Sequence, residues 1–113
     1  METPRIETYA EFWPHYLRQH ARPATRAWHA VGTFTGLGLL GLAIVTARPW
    51  LALLAVLVGY GCAWLSHWLV ERNRPATFGH PLWSLASDFR MAWLLVTGRL
   101  QREIEAASLQ DKN

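Results

Sequence analysis

Four histidines lie near the ends of the two long apolar segments of this chain. His29 lies just inside the start of the first segment, and His67 lies near the end of the second. His20 and His80 occupy the polar segments that flank those two points. An antiparallel helical hairpin would bring all four to one end, and imidazole is the commonest protein ligand of metals at neutral pH. The pattern predicts a metal site formed by His20, His29 and His67, with His80 as the candidate fourth ligand.

Two carboxylates belong to the same region. Glu71 follows His67 by four residues, so on a continuing helix their side chains share a face. Glu71 could bind the metal, orient an imidazole or pair with Arg72 or Arg74. The same alternatives are open for Asp88, including an ion pair with a nearby arginine. Imidazole and carboxylate ligands suit Zn, Cu, Fe or Ni, and this number of ligands favours a single ion.

The two apolar segments have the length of membrane-spanning helices. Between Ala27 and Ala47 the only ionisable side chain is His29, and between Pro49 and Val70 the only ones are His67, Tyr60 and Cys62. A helix of about 20 apolar residues crosses the hydrocarbon core of a bilayer. A chain of 113 residues has too little interior to bury two such helices on all sides. The sequence predicts an integral membrane protein that passes the bilayer twice.

The segments around the spans are more polar. Aromatic residues recur with helical spacing between Ile6 and Gln19, which predicts a helix lying in the membrane interface, with His15 as an interfacial anchor. Asn73–Pro81 is predicted to be a loop, and Leu82–Val96 an amphipathic or re-entrant helix. The residues after Arg99 are predicted to form a frayed polar tail. The expected fold class is all-α: a single domain over residues 1–113, with its core at about 6–100 and the tail at 101–113.

Glycines indicate how the helices pack, and arginines indicate which side of the membrane their ends face. Gly32 and Gly36 form a G-x-x-x-G motif, which predicts close packing against the second span or against a second copy in a homo-oligomer. Arginines are frequent before and after the pair of spans, while only Arg48 lies between them. The positive-inside rule therefore predicts a cytoplasmic-membrane protein with both termini in the cytoplasm. The net charge of +3 is dispersed and does not indicate nucleic-acid binding.

Longer stretches of the sequence resemble one known family. They are Phe12-Trp13, Tyr16-Leu17 and His20, then Trp28-His29-Ala30-Val31-Gly32-Thr33, then Gly59-Tyr60-Gly61-Cys62-Ala63-Trp64 and His67, and finally Glu71-Arg72-Asn73-Arg74-Pro75-Ala76-Thr77-Phe78, Pro81-Leu82-Trp83-Ser84-Leu85 and Asp88-Phe89-Arg90-Met91. Together they resemble the Mpo1-like family, and the resemblance covers roughly residues 9 to 100.

The resemblance implies an Fe(II)-dependent dioxygenase of fatty-acid α-oxidation. Such an enzyme cleaves the C1–C2 bond of a 2-hydroxy fatty acid with O₂ and leaves an acid one carbon shorter. The positions that match the family's histidines are His20, His29 and His67. The 2-hydroxy carboxylate would chelate the iron, and Arg26, Arg72 or Arg74 would attract the carboxylate. The acyl chain would lie along the glycine-thinned faces of the two spans.

Two other functions fit the same residues. One is a haem-binding protein, with His29 and His67 as axial ligands on facing helices. The other is a membrane scaffold or lipid-binding hairpin without enzymatic activity, whose histidines only adjust its position in the interface. Metal binding without enzymatic activity is a further alternative. A transporter is disfavoured because neither span carries an acidic residue at mid-membrane.

Overall fold

The computed structural model describes residues 6–75 and 78–111, and all the regular structure within these ranges is helical. Five α-helices follow one another: α1 (Tyr9–Arg18), α2 (Pro23–Thr46), α3 (Trp50–Ser66), α4 (Pro81–Val96) and α5 (Leu100–Asp111). A π-helical turn, His67–Glu71, continues α3 without a break. The prediction of an all-α chain is confirmed.

Helices α2 and α3 form a long antiparallel hairpin. Ala47 ends α2 in the left-handed conformation, with a φ of 54°, and Pro49 leads into α3. Pro23–Thr46 and Trp50–Glu71 are both long and apolar enough to cross a membrane, and only 22% of the most apolar window of each is buried within the protein. Large apolar side chains such as Val45 therefore face outwards, a surface that a soluble monomer rarely presents.

The glycine motif of α2 packs against α3 of the same chain. A Cβ atom added at Gly32 would lie 2.8 Å from the Cβ of Cys62 and 3.1 Å from the carbonyl oxygen of Gly59. A Cβ added at Gly36 would lie 3.2 Å from the carbonyl oxygen of Ala55. The two backbones can approach this closely only because these side chains are absent. Of the two packing partners predicted for the motif, the structure shows the second span.

Helix α1 is present as predicted, but its apolar face is covered by protein. Phe12, Trp13, Tyr16 and Leu17 are all buried, and they form a core cluster with Met91 of α4 and with α5. The prediction that α1 lies on the bilayer through this face is therefore wrong for that face. The stripe that suggested interfacial insertion is the core of a small helical layer at one end of the hairpin.

The C-terminal segment also differs from its prediction, since residues 100–111 form α5 rather than a frayed tail. Leu100, Ile104 and Ala107 lie at helical spacing and pack against α1. Glu103 accepts a hydrogen bond of 3.2 Å from the indole Nε1–H of Trp13. These contacts stabilise α5 in addition to its helix propensity. The apolar stripe was not recognised in the sequence because the segment is hydrophilic on average. Residues 112 and 113 lie outside the described part of the chain.

Candidate metal centre

Three imidazoles from three different elements meet at one point. His20 follows α1, His29 lies in the second turn of α2, and His67 opens the π-helical turn. The Nε2 atoms are 3.1 Å apart for His20 and His29, 3.2 Å for His29 and His67, and 3.0 Å for His20 and His67. All three side chains are buried, with exposed fractions of 4% or less. The predicted convergence of the two spans' histidines is observed.

The outer ring nitrogens determine which way the imidazoles present their lone pairs. The Nδ1 of His20 lies 2.7 Å from the carbonyl oxygen of Tyr16, and the Nδ1 of His67 lies 2.6 Å from the Oδ1 of Asn73. The Nδ1 of His29 faces the carboxylate of Asp88 at 3.4 Å. The first two oxygens accept hydrogen bonds, so the Nδ1 atoms of His20 and His67 carry the hydrogen and their Nε2 atoms present lone pairs. The Asp88 carboxylate, an acceptor facing the Nδ1 of His29, favours the same tautomer there. Three lone pairs that converge cannot bond to one another, and a cation is their chemical complement.

The amide of Asn73 is itself fixed in orientation. Its Nδ2 donates to the backbone carbonyl and to the side-chain Oε1 of Gln19, both at 3.0 Å, so its Oδ1 must face His67. Arg72 adopts the left-handed conformation, with a φ of 60°, and reverses the chain so that the backbone N–H of Asn73 donates to the carbonyl of His67 at 3.0 Å. The loop thus returns to the imidazole that precedes it.

The spacing of the triad fits a single metal ion. Nitrogens bound to one ion at about 2.1 Å lie about 3.0 to 3.4 Å apart, in octahedral and tetrahedral shells alike. The observed Nε2 separations fall in that range. Axial haem ligands would instead stand about 4 Å apart across the iron, with the macrocycle between them. His29 and His67 are closer than this, and His20 touches both, so the haem alternative does not fit.

Asp88 and Tyr16 support the triad from outside. The Tyr16 hydroxyl donates a hydrogen bond to the Asp88 carboxylate, and the Tyr16 ring stacks on the His20 ring with centroids 4.1 Å apart. Burial, and then the neighbouring Asp88 carboxylate, raise the pKa of Tyr16 well above its usual value. Tyr16 is therefore a stable neutral donor that leaves Asp88 an acceptor for His29. Asp88 was a predicted candidate, whereas the roles of Tyr16 and Asn73 were not predicted from the sequence.

Glu71 does not face the triad and instead caps α2. Its carboxylate accepts hydrogen bonds from the backbone N–H groups of Ala21 and Arg22, at 3.0 and 3.1 Å, and from the Thr25 hydroxyl at 2.5 Å. A carboxylate at a helix N-terminus is stabilised by the helix dipole and by the N–H groups free there. Glu71 thereby ties the end of the π-helical turn to the segment between His20 and the start of α2.

The structure does not bring His80 to the triad. His80 precedes α4, and its ring stacks on Trp83 with centroids 5.2 Å apart and planes inclined by 6°. Among the described residues, the group whose possible ligand atoms all lie within 4.8 Å of one another comprises only His20, His29 and His67. His15, the predicted interfacial anchor, packs half-buried beside Phe12. Burial, the charge of Arg18 and the charge of His80 lower the pKa of His15, in that order of importance.

The three arginines predicted to attract a substrate carboxylate have different surroundings. Arg26 lies one turn before His29 on α2, and its Nη1 donates to the carbonyls of His20 and Ala21 at 2.8 Å. Arg72 and Arg74 are exposed, and the guanidinium of Arg74 lies 5.3 Å from the centroid of the Phe78 ring. Of the three, Arg26 is the one bonded to the backbone of the triad.

Comparison with protein-family models places this geometry in a known family. The model described as "Mpo1-like: 2-hydroxy-palmitic acid dioxygenase Mpo1-like" matches residues 6–100, which include the three histidines and the residues bonded to them. Neither the curated proteins nor the solved structures gave a match. Because the family model spans most of the chain, this protein belongs to the Mpo1-like family.

Proposed function

We propose that this protein is an Fe(II)-dependent dioxygenase that cleaves the C1–C2 bond of a 2-hydroxy fatty acid. The observation that carries the proposal is the convergence of three buried Nε2 atoms, each on an imidazole whose Nδ1 faces an oxygen acceptor. The family description names a dioxygenase of a 2-hydroxy fatty acid, which agrees with such a centre. The overall reaction RCH(OH)COOH + O₂ → RCOOH + CO₂ + H₂O balances without another reductant.

In this proposal His20, His29 and His67 bind the ion and are the catalytic residues. Bound Fe(II) would supply open coordination positions and the redox chemistry with O₂. Tyr16, Asn73 and Asp88 hold the imidazoles in the tautomer that presents Nε2. Their restraint is important because a metal-bound imidazole is oriented by the partner of its second nitrogen. Burial of the triad keeps bulk water away from the reacting carbons.

The substrate carboxylate requires a cation near the triad, and we assign this role to Arg26. Its Nη1 is anchored on the carbonyls of His20 and Ala21, which holds the guanidinium beside the first histidine. Guanidinium groups bind carboxylates with directed, charge-assisted hydrogen bonds. Arg72 and Arg74, which are exposed, would act at longer range by attracting the anionic headgroup.

We further propose that α2 and the α3–π helix cross the cytoplasmic membrane, with both termini in the cytoplasm. The outward apolar surface of the hairpin and the arginines outside it support this orientation. Helices α1, α4 and α5 pack together beside the histidine end of the hairpin. The triad would then lie at the cytoplasmic interface, where the polar head of a fatty acid meets water.

The first test is metal content. Wild-type protein, prepared anaerobically with Fe(II) in detergent, is expected to hold about one iron per chain, and a His29→Ala/His67→Ala variant is expected to hold none. His80→Ala is the matched control, since His80 lies outside the triad, and it should keep its iron. The loaded wild type should then consume O₂ and form the shortened acid from 2-hydroxy fatty acids. Iron binding that survives in the double variant would contradict the site, and loaded protein without turnover would contradict the reaction.

A further inference from the structure

An apolar groove begins at the triad and runs between α2, α3 and α4. His29 and Asp88 line one end of it, and among the described residues the other ionisable side chain in the lining is that of Tyr60. At the other end it is lined by Leu40 of α2 and Ala52 of α3. A surface that is polar at one end and apolar along its length matches an amphiphile with one polar head.

The groove is deep along its base because the residues there are glycines, which have no side chain. Gly32, Gly36 and Gly59 line it, at positions where an added Cβ would contact the facing helix. Leu85 and Phe89, one turn apart on α4, form part of its wall. The groove is partly open to the outside, which gives a flexible chain a route into it from a bilayer.

The groove has a definite length. From His29 to Leu40 is eleven residues along α2, and from Ala63 to Ala52 is eleven along α3, or about 16 Å in each case at 1.5 Å per residue. Each methylene of an extended chain adds about 1.3 Å, because C–C bonds of about 1.5 Å alternate in direction. About 13 carbons therefore span the groove beyond the two that would occupy the triad.

We propose that this groove binds the extended acyl chain of the substrate, and that Leu40 and Ala52 at its far end select the chain length. The inference rests on the proposed function for the identity of the polar head at the triad. It adds that saturated chains of about 15 carbons fill the groove. A shorter chain makes fewer contacts with the apolar lining of the groove. A longer one extends past Ala52 towards the turn at Ala47.

The test uses two substitutions with opposite effects. Ala52→Phe fills the far end by roughly one helical turn, about 5.4 Å, and should lower the preferred length by about four carbons. Leu40→Ala opens the same end and should raise it. Leu53→Phe is the matched control, because Leu53 neighbours Ala52 on α3 but is 63% exposed and does not line the groove. It should leave the preferred length unchanged.

The primary measurement is binding, which does not depend on turnover. Saturated 2-hydroxy acids of 10 to 20 carbons compete with a fluorescent fatty acid on the full-length protein in detergent, and each variant is compared with wild type. Ala52→Phe should weaken binding of the wild type's preferred acid at least tenfold and spare the acid four carbons shorter. A 2-hydroxy acid with a photoreactive terminal diazirine should label wild type near Leu40 and Ala52.

The outcomes separate this inference from the proposed function. A length profile that shifts in binding, in a protein without dioxygenase turnover, supports the groove and refutes the reaction. Normal turnover with an unchanged length profile in both variants refutes the groove and leaves the reaction standing. Labelling spread over the outer surface of the hairpin would also overturn the assignment of the groove.

Discussion

Asn73 provides the sharpest test of how the triad is held. Asn73→Leu keeps the approximate size of the side chain but removes the Oδ1 acceptor 2.6 Å from the Nδ1 of His67. A buried donor left without a partner costs about 1 to 3 kcal/mol. Loss of a group that orients a metal-bound imidazole weakens metal binding about 10- to 100-fold, or about 1.4 to 2.8 kcal/mol. We therefore expect the dissociation constant for Fe(II) to rise by that factor.

The measurement is an anaerobic Fe(II) titration against a competing chelator, with thermal unfolding of the metal-free protein recorded in parallel. Two further variants divide the effect. Asn73→Asp keeps an acceptor for His67 but loses the Nδ2 donors to Gln19, so it should be less stable than wild type while binding Fe(II) at least as tightly as Asn73→Leu. Gln19→Leu leaves the bond from Asn73 to His67 in place and should change the metal affinity less than threefold.

One result would refute this reasoning. If Asn73→Leu bound Fe(II) as tightly as wild type, the Nδ1 of His67 would not need its acceptor, and the inward orientation of the three lone pairs would lose its physical basis. A variant that lost only thermal stability would lead to the same conclusion, because Asn73 would then serve the loop alone.

Three other predictions concern the scaffold. Gly32→Ala should destabilise the hairpin by about 1 to 3 kcal/mol, because its Cβ would lie 2.8 Å from that of Cys62. Gly38→Ala, whose Cβ meets no atom within 4 Å, should be neutral or stabilising in the same unfolding assay. The Arg72→Gly variant should be more stable than the Arg72→Ala variant by about 1 kcal/mol, because the left-handed backbone conformation at this position disfavours a Cβ atom. Equal stabilities of the two variants would show that the backbone at residue 72 is not strained. The pKa of His15 is lowered in the folded state, so the unfolded chain binds more protons below pH 6.5, and the free energy of unfolding should fall there as the pH decreases. His15→Gln should make that fall less steep. An unchanged slope would show that His15 does not contribute to it.

The sequence predicted the parts of this structure that depend on length and periodicity. Two apolar segments of the right length define the hairpin, and an antiparallel pair necessarily brings His29 and His67 to similar depth. The third histidine followed because His20 lies only nine residues before His29. Such features are local or follow from a single topological step, so they require no knowledge of side-chain contacts.

Other features depend on neighbours that are distant in the chain. The role of Glu71 as a cap could not be predicted, because its partners Ala21, Arg22 and Thr25 lie some 46 to 50 residues away. From the sequence, Tyr16 is only one of several aromatic residues of an amphipathic helix. Its role depends on Asp88, which lies far away in the chain and accepts a hydrogen bond from its hydroxyl. His80 was included with the triad because loop residues carry no periodic signal that shows which way they face.

The π-helical turn makes the protein sensitive to chain length in a way that substitutions would not reveal. Its five residues begin at one triad histidine and end at the carboxylate that holds the start of α2. Trp68 and Leu69 within it are exposed, so many side chains could replace theirs. Deleting either would convert the turn to α-helical i→i−4 hydrogen bonding and place Glu71 three residues instead of four after His67, which changes the angle between their side chains around the helix axis. Homologues should therefore vary freely in residue type at these two positions and show no insertions or deletions between His67 and Glu71.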